Sequence, residues 1–257
     1  MSNQPYFLHH HLAEQADSRL AIVRHTPKHI ILVGADGDFS RQKLAARYPQ
    51  AKFSEYDPHP ERLQHAAAQR QHGLLHKITG KHIAQHAQSP QDRLPEHHAD
   101  MLWSNLNLVW ADDLPATLSN WSQALQKDGL LFFTHFGADS LPEIRQIIDA
   151  PHFLLRDMHD VGDMLFHHGF YDPIMDTAQL HLDYENFATL QHDLQFTGLW
   201  RSLNVANADQ AWQTLRHAWD KGALRQISVE ILHGHAIKKT VLPENEHVLQ
   251  FYPRKMP

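Results

Sequence analysis

The chain has 257 residues, 42% hydrophobic and 20% charged, which suffices to bury one large core; its net charge of −6 argues against a general nucleic-acid binder. It has no cysteine, which excludes a disulfide framework and thiolate chemistry and makes the cytoplasm the expected compartment. No apolar run approaches the roughly 20 residues that span a bilayer, and the N-terminus lacks a basic-then-apolar signal pattern, so no membrane association is expected.

In chain order, residues 6–24 predict an amphipathic helix carried by Leu8, Leu12, Ala16, Leu20 and Val23. His29 to Gly34 is a short apolar run ending at glycine, as a buried parallel strand requires. Ser40 to Tyr48 predicts a helix stopped by Pro49, and Ala51 to Tyr56 a second strand running into Asp57. Pro60 opens the next helix, and a weak third strand is expected at Leu74–Ile78. The polar stretch 80–98 reads as loop or short helix. A strand at Ala99–Leu108, a helix over 113–127 and a strand at Gly129–Phe136 follow. This alternation predicts a doubly wound α/β fold with a mostly parallel sheet. Beyond it, helices are expected at 140–149 and 160–168, an extended segment over 171–184, a helical region over 185–222 and a last long strand from Ser228 to Ile237.

Histidine is over-represented, at 24 residues. His72/His76 and His82/His86 have one-turn spacing, but no carboxylate completes an HExxH-type site and no thiol is present, so compositional bias explains them better than a metal. The turn after the first strand, Gly34-Ala35-Asp36-Gly37-Asp38-Phe39-Ser40, and Asp57 after the second lie where open α/β sheets bind ligands. A glycine turn lets backbone approach a nucleotide, and a carboxylate about 20 residues on accepts ribose hydroxyl protons.

The run Asp157-Met158-His159-Asp160-x-Gly162-Asp163, continuing through Gly169-Phe170-x-Asp172-Pro173-x-Met175-Asp176, resembles the DMHD-x-GD…GF-x-DP-x-MD signature of BioC-like methyltransferases. Ser104-Asn105 to Trp110, with Asp113-Leu114-Pro115, is similar to that family's SN-x-x-LQW-x-x-D-LP segment. Leu125-x-x-Asp128-Gly129, Glu143-Ile144-Arg145 and Glu230-x-x-His233-Gly234-His235-Ala236 resemble later pieces, so the likeness runs over nearly the whole chain. Two departures stand out. Leu32 occupies the acidic position before the glycine turn, which is one residue short with Asp36 where a glycine belongs, and Val109 replaces a glutamine.

The resemblance implies a Rossmann-like class I methyltransferase with an antiparallel sheet end, an N-terminal helical lid over 1–28, and a catalytic domain over 29–257 with a helical insertion at about 185–222. It implies S-adenosylmethionine as cofactor, held by Gly34, Asp36, Gly37, Asp57, Asn105 and Trp110. The implied acceptor is the free carboxylate of a malonyl thioester on an acyl carrier protein, as in biotin synthesis. Arg145 is the candidate for gripping that carboxylate, because a guanidinium fork matches two oxygens, and Tyr6 is a candidate lid residue. Asp36 and Asp38 have three readings: partners of the cofactor ammonium, repellents of its carboxylate, or helix caps. Asp157, His159, Asp160 and Asp163 read either as shaping the substrate pocket or, the favoured reading, as a structural hub around His159; Arg41, Lys43, Arg47 and Lys52, and the later Lys238-Lys239 and Arg254-Lys255, are candidates for a basic patch facing an acidic carrier. The second reading of the whole chain is an inactive, methyltransferase-like assembly protein.

Overall fold

The computed structural model describes residues 6–71, 83–148, 150 and 153–239. Seven strands form one sheet in the order β3-β2-β1-β4-β5-β7-β6. The parallel strands are β1 (His29–Val33), β2 (Lys52–Asp57), β3 (Ala84–Ala87), β4 (Ala99–Asn105) and β5 (Leu125–Phe136). β6 (Phe170–Asp183) and β7 (Gln226–Lys238) pair with each other, and β7 with β5, antiparallel. The order reverses between β1 and β4, which is the switch point at which such sheets take ligands.

Strand and helix alternate along the parallel part because β1, β4 and β5 are apolar on both faces. Ile31, Val33, Leu102, Leu131 and Phe133 pack on one side, under Trp121 and Leu118 of α4 (Leu114–Ala124) and Val161 and Leu165 of α6 (Met158–His167). Ile30, Leu32, Met101, Trp103 and Phe132 pack on the other, against Ala16 and Leu20 of α1 (Phe7–Leu20) and Leu44 of α2 (Phe39–Arg47). A third core joins the first half of α1 to α5 (Pro142–Ile147) and to the helices between β6 and β7: α7 (Phe187–Phe196), α8 (Leu199–Ser202) and α9 (Ala208–Asp220). The starts of α4, α7 and α9 are set by local chemistry: Asp113, Asn186 and Asn207 each accept a backbone N–H of the first turn.

Two local expectations are corrected. The polar stretch 80–98 contains β3, an edge strand registered on Ser54–Asp57 of β2; the third strand expected at Leu74–Ile78 lies outside the described residues. The Asp157–Asp163 cluster is not a buried hub. Asp157 caps α6 by accepting from His159 N and Asp160 N at 2.7 and 3.0 Å, and the His159 side chain is 81% exposed. Among the described residues, no helix is long and apolar enough to cross a membrane, and no group of three or more His, Asp or Glu is placed to hold a metal.

Candidate active site

β1 ends at Gly34, whose φ of +113° only glycine adopts without strain, and whose N–H donates to Tyr56 O of β2. A β-carbon there would lie 3.1 Å from Asn107 Cβ and 3.3 Å from Asn105 O, so the turn is pressed against the end of β4. Asp57, at the end of β2, is buried beneath it. Its Oδ2 accepts from Ala35 N at 2.8 Å and from Asn107 Nδ2 at 3.4 Å; its Oδ1 accepts from His59 N at 2.7 Å and lies 3.0 Å from His59 Nδ1.

The shortened turn is rebuilt from side chains. Leu32, in the acidic position, is buried in the layer beneath α1 and α2, so the missing carboxylate is absorbed as core. Asp36 caps α2: its carboxylate accepts from Ser40 N at 3.2 Å, from Ser40 Oγ at 2.5 Å and from Asn105 Nδ2 at 2.9 Å. Burial, only partly opposed by these bonds, raises its pKa. Asp38 sits at φ +76° and is bound by Arg41 and by Arg70, which also reaches Glu55 at 3.1 Å. Both aspartates therefore serve the turn itself.

Asn105 is fully engaged inside the protein. Its amide also donates to His9 O of α1 at 2.9 Å, and its carbonyl accepts from Thr134 Oγ1 at 2.8 Å. It ties α1, the glycine turn and β5 together. Asn107, two residues on, is buried beside Asp57 with Oδ1 unpaired and, like Ser104 Oγ, has hydrogen-bonding capacity to spare. The sequence hint was the repeat Asn105-x-Asn107 after a strand.

Above this floor lies an aromatic layer. Tyr6 stacks on His65 at 4.9 Å and meets Phe196 edge-on at 5.0 Å, and a β-carbon on Gly37 would lie 3.3 Å from its ring. Burial pushes its phenol up to about 12 and, with the Arg62 charge second, pushes neighbouring His9 down to about 3. Trp110 closes a short 3₁₀ helix (Asn107–Trp110) and contacts His59 at 4.5 Å. Arg62, in the first turn of α3 (Pro60–Gln71), lies between these rings. Its Cζ is 5.3 Å from the Trp110 centroid and 4.5 Å from that of Phe196, whose carbonyl it binds. The structure thus brings Tyr6, Gly34, Asp36, Gly37, Asp57, Asn105 and Trp110 together beyond the ends of β1, β2 and β4. Arg145 lies apart, exposed on α5, donating to Ala138 O at 2.9 Å with its guanidinium 4.3 Å over Phe153.

The 3₁₀ helix is also clamped from α8. Arg201 donates to Val109 O at 2.8 Å and pairs with Asp112, and Gly198, at φ +83°, admits Val109 and Trp110 where a β-carbon would clash. On the far side of this segment is a cavity of about 620 Å³ lined by Val109, Ala111, His135, Leu154, Arg156 and Met164, among others. His135, from the end of β5, is buried with Nδ1 unpaired, and burial pushes it down to about 4. Three members of the expected basic patch are paired within the protein: Arg41 with Asp38, Lys43 with Glu14 and Arg47 with Asp17.

A parallel sheet with an antiparallel end, a glycine turn after β1 and an acid after β2 define a class I methyltransferase. Solved structures of similar fold include the YcgJ protein of Bacillus subtilis (TM-score 0.61, 12% identity, covering 90% of this chain and 100% of that one). Another is phosphoethanolamine N-methyltransferase 2 of Haemonchus contortus, in complex with phosphomonomethylethanolamine and S-adenosylhomocysteine (TM-score 0.57, 12% identity, covering 90% and 53%). No family profile matches the chain. Two relatives carry the name malonyl-acyl-carrier-protein O-methyltransferase. That of Laribacter hongkongensis is 31% identical over 96% of this chain and 89% of its own, and that of Gallionella capsiferriformans 32% identical over 86% and 80%. The chain belongs to the malonyl-acyl-carrier-protein O-methyltransferase family.

Proposed function

We propose that this protein transfers the methyl group of S-adenosylmethionine to the free carboxylate of a malonyl thioester carried by an acyl carrier protein, in the cytoplasm. The observation that carries the reading is Asp57 at the end of β2, beneath the Gly34 turn, in a chain similar to such methyltransferases along nearly its whole length. The residues fit the cofactor. The Asp57 carboxylate has the chemistry to accept a ribose diol, and the unpaired Asn107 Oδ1 can accept a further N–H or O–H. When bound, S-adenosylmethionine supplies an electrophilic methyl group on a positively charged sulfur.

The rest falls to the protein. A malonyl carboxylate is ionised at neutral pH and needs no general base, which agrees with a cleft whose acids are engaged in structure. Catalysis then rests on alignment and exclusion of water. Tyr6, His65 and Phe196 form an apolar roof, and Trp110 a wall fixed from below by Arg201. We retain Tyr6 as the lid residue. Incubating the purified protein with S-adenosylmethionine and malonyl-acyl carrier protein should add the mass of one methyl ester to the carrier, and none to acetyl-acyl carrier protein. An unmodified malonyl carrier at high enzyme concentration would reject the acceptor.

A further inference from the structure

The helical insertion between β6 and β7 meets the segment that follows β4 at the start of α8. Gly198, at φ +83°, opens this helix where a β-carbon would lie 2.6 Å from Val109 Cγ1 and 3.1 Å from the Trp110 ring. Three residues on, Arg201 turns its guanidinium onto the same segment. Its Nη1 donates to Val109 O at 2.8 Å and to Ala111 O at 3.3 Å, and its Nη2 pairs with Asp112. The last carbonyls of a helix lack partners within it, so these bonds cap the 3₁₀ helix Asn107–Trp110 from outside.

The segment needs such a hold. It begins at Leu106, whose φ of +59° lies in the left-handed region that a bulky residue keeps only under restraint. Thr134 of β5 restrains that end, accepting the Leu106 N–H through its carbonyl and its Oγ1, both at 3.1 Å. Arg201 restrains the other. Leu108, Val109 and Ala111 help to line the cavity of about 620 Å³, so on that side the segment is backed in part by open space and not by packed core.

We propose that Arg201 is a positioning residue for methyl transfer, through which the helical insertion sets the rate of the reaction. The assignment rests on the proposed function above. The segment that Arg201 holds carries two contacts to the cofactor side. Asn107 Nδ2 donates to Asp57 at 3.4 Å, and the Trp110 ring meets that of His59, whose N–H donates to Asp57, at 4.5 Å. Displacing the segment therefore moves the Trp110 wall relative to Asp57 and the Gly34 turn. A reaction that depends on alignment and uses no general base is sensitive to such a shift: a misplacement of about 1 Å can cost about 100-fold in rate. Asp57 keeps its backbone donors, Ala35 N and His59 N, on other segments, so cofactor binding survives the displacement. Of the contacts Arg201 makes, those to the carbonyls fix the segment. The Asp112 side chain is 72% exposed and also accepts from Gln91, so its ion pair is screened by solvent and contributes little.

The test is the kinetics of methyl-ester formation on malonyl-acyl carrier protein by the full-length wild type, Arg201→Met, Arg201→Lys and Asp112→Ala, each well below its melting temperature. The affinity for S-adenosylhomocysteine is titrated alongside. Arg201→Met, which keeps the stem and loses every donor, should lower kcat about 30- to 100-fold, with KM and S-adenosylhomocysteine affinity within about threefold of the wild type. Arg201→Lys, which can reach one carbonyl but lacks the fork, should recover part of kcat, and Asp112→Ala should stay within about twofold. Four results would overturn the assignment. A lowered melting temperature with kcat unchanged in Arg201→Met marks a purely structural clamp. A loss carried by KM places Arg201 in acceptor binding, and a parallel loss of S-adenosylhomocysteine affinity places it in the cofactor site. An Asp112→Ala as damaged as Arg201→Met gives the effect to the ion pair. Should Arg201→Met not fold, Arg201→Lys carries the test, and a kcat equal to that of the wild type overturns the assignment. A wild type that binds S-adenosylhomocysteine but leaves the malonyl carrier unmodified removes the proposed reaction itself, and this assignment with it.

Discussion

The two halves of the cleft are built on opposite terms. On the β1–β2 side every carboxylate has its donors: Asp36 has Ser40 and Asn105, Asp38 has Arg41 and Arg70, Glu55 has Arg70 and Gln85, and Asp57 has Ala35 and His59. At the ends of β4 and β5, polar groups are buried without partners: Ser104 Oγ, Asn107 Oδ1 and His135 Nδ1. Buried polar groups are normally satisfied, so Asp36, Asp38 and Glu55 read as scaffold for the turn, and the unpaired groups at the ends of β4 and β5 as capacity for a ligand. A shortened glycine turn therefore does not mark a decayed site. Its missing glycine and acid are replaced by an ion-paired frame and a buried leucine.

If the first half is scaffold, breaking its frame should act on stability. Arg70→Met strips a buried guanidinium from Asp38 and Glu55 and should cost about 3 kcal/mol in denaturant unfolding; a loss below about 0.5 kcal/mol would show that the frame is not what holds the turn. The buried, unpaired histidines give the protein a pH signature. His9, His135 and His233 are held neutral by burial, at about 3, 4 and 4 against an ordinary 6.5. Their folded values are depressed, so the unfolded chain takes up protons first as pH falls. Stability is complete above about pH 6.5 and is lost on the way down to pH 4–3, by about 1 kcal/mol for each of His9 and His135 at pH 5.5. Melting temperatures recorded from pH 7.5 to 5.5 should fall accordingly, and a flat profile would contradict their neutral burial.

Smaller effects separate cap from hub in the Asp157–Asp163 segment. A β-carbon on Gly162 would meet only Met175 Cγ, at 3.7 Å, so Gly162→Ala should stabilise α6 by about 0.5–1 kcal/mol. A loss instead would restore a packing role for this glycine. Arg145→Ala, at an exposed position with one carbonyl bond, should change stability by no more than about 0.5 kcal/mol by thermal unfolding.

The sequence made the fold legible wherever burial is two-sided: β1, β4 and β5 announce themselves as apolar runs between amphipathic helices. It hid β3, because Ala84-Gln85-His86-Ala87 is a largely exposed edge strand defined by backbone pairing to β2 and not by side-chain pattern. The glycine turn and Asp57 were readable from spacing, since both sit at strand ends that the topology brings together. Arg201 was not. Its importance depends on the carbonyls of Val109 and Ala111, 92 and 90 residues away in the chain, and no local pattern records such a meeting. Arg145 shows the converse: a family position names a candidate, but only its contacts with Ala138 and Phe153 say where the guanidinium lies.

The central claim, that a rebuilt turn still holds the cofactor over Asp57, is tested most directly by isothermal titration with S-adenosylhomocysteine of the wild type and Asp57→Ala. The wild type should bind at micromolar concentration, and the variant at least about 100-fold more weakly. No detectable heat with the wild type, together with a melting temperature unmoved by high ligand, would contradict it and return the chain to the reading of a methyltransferase-like assembly protein.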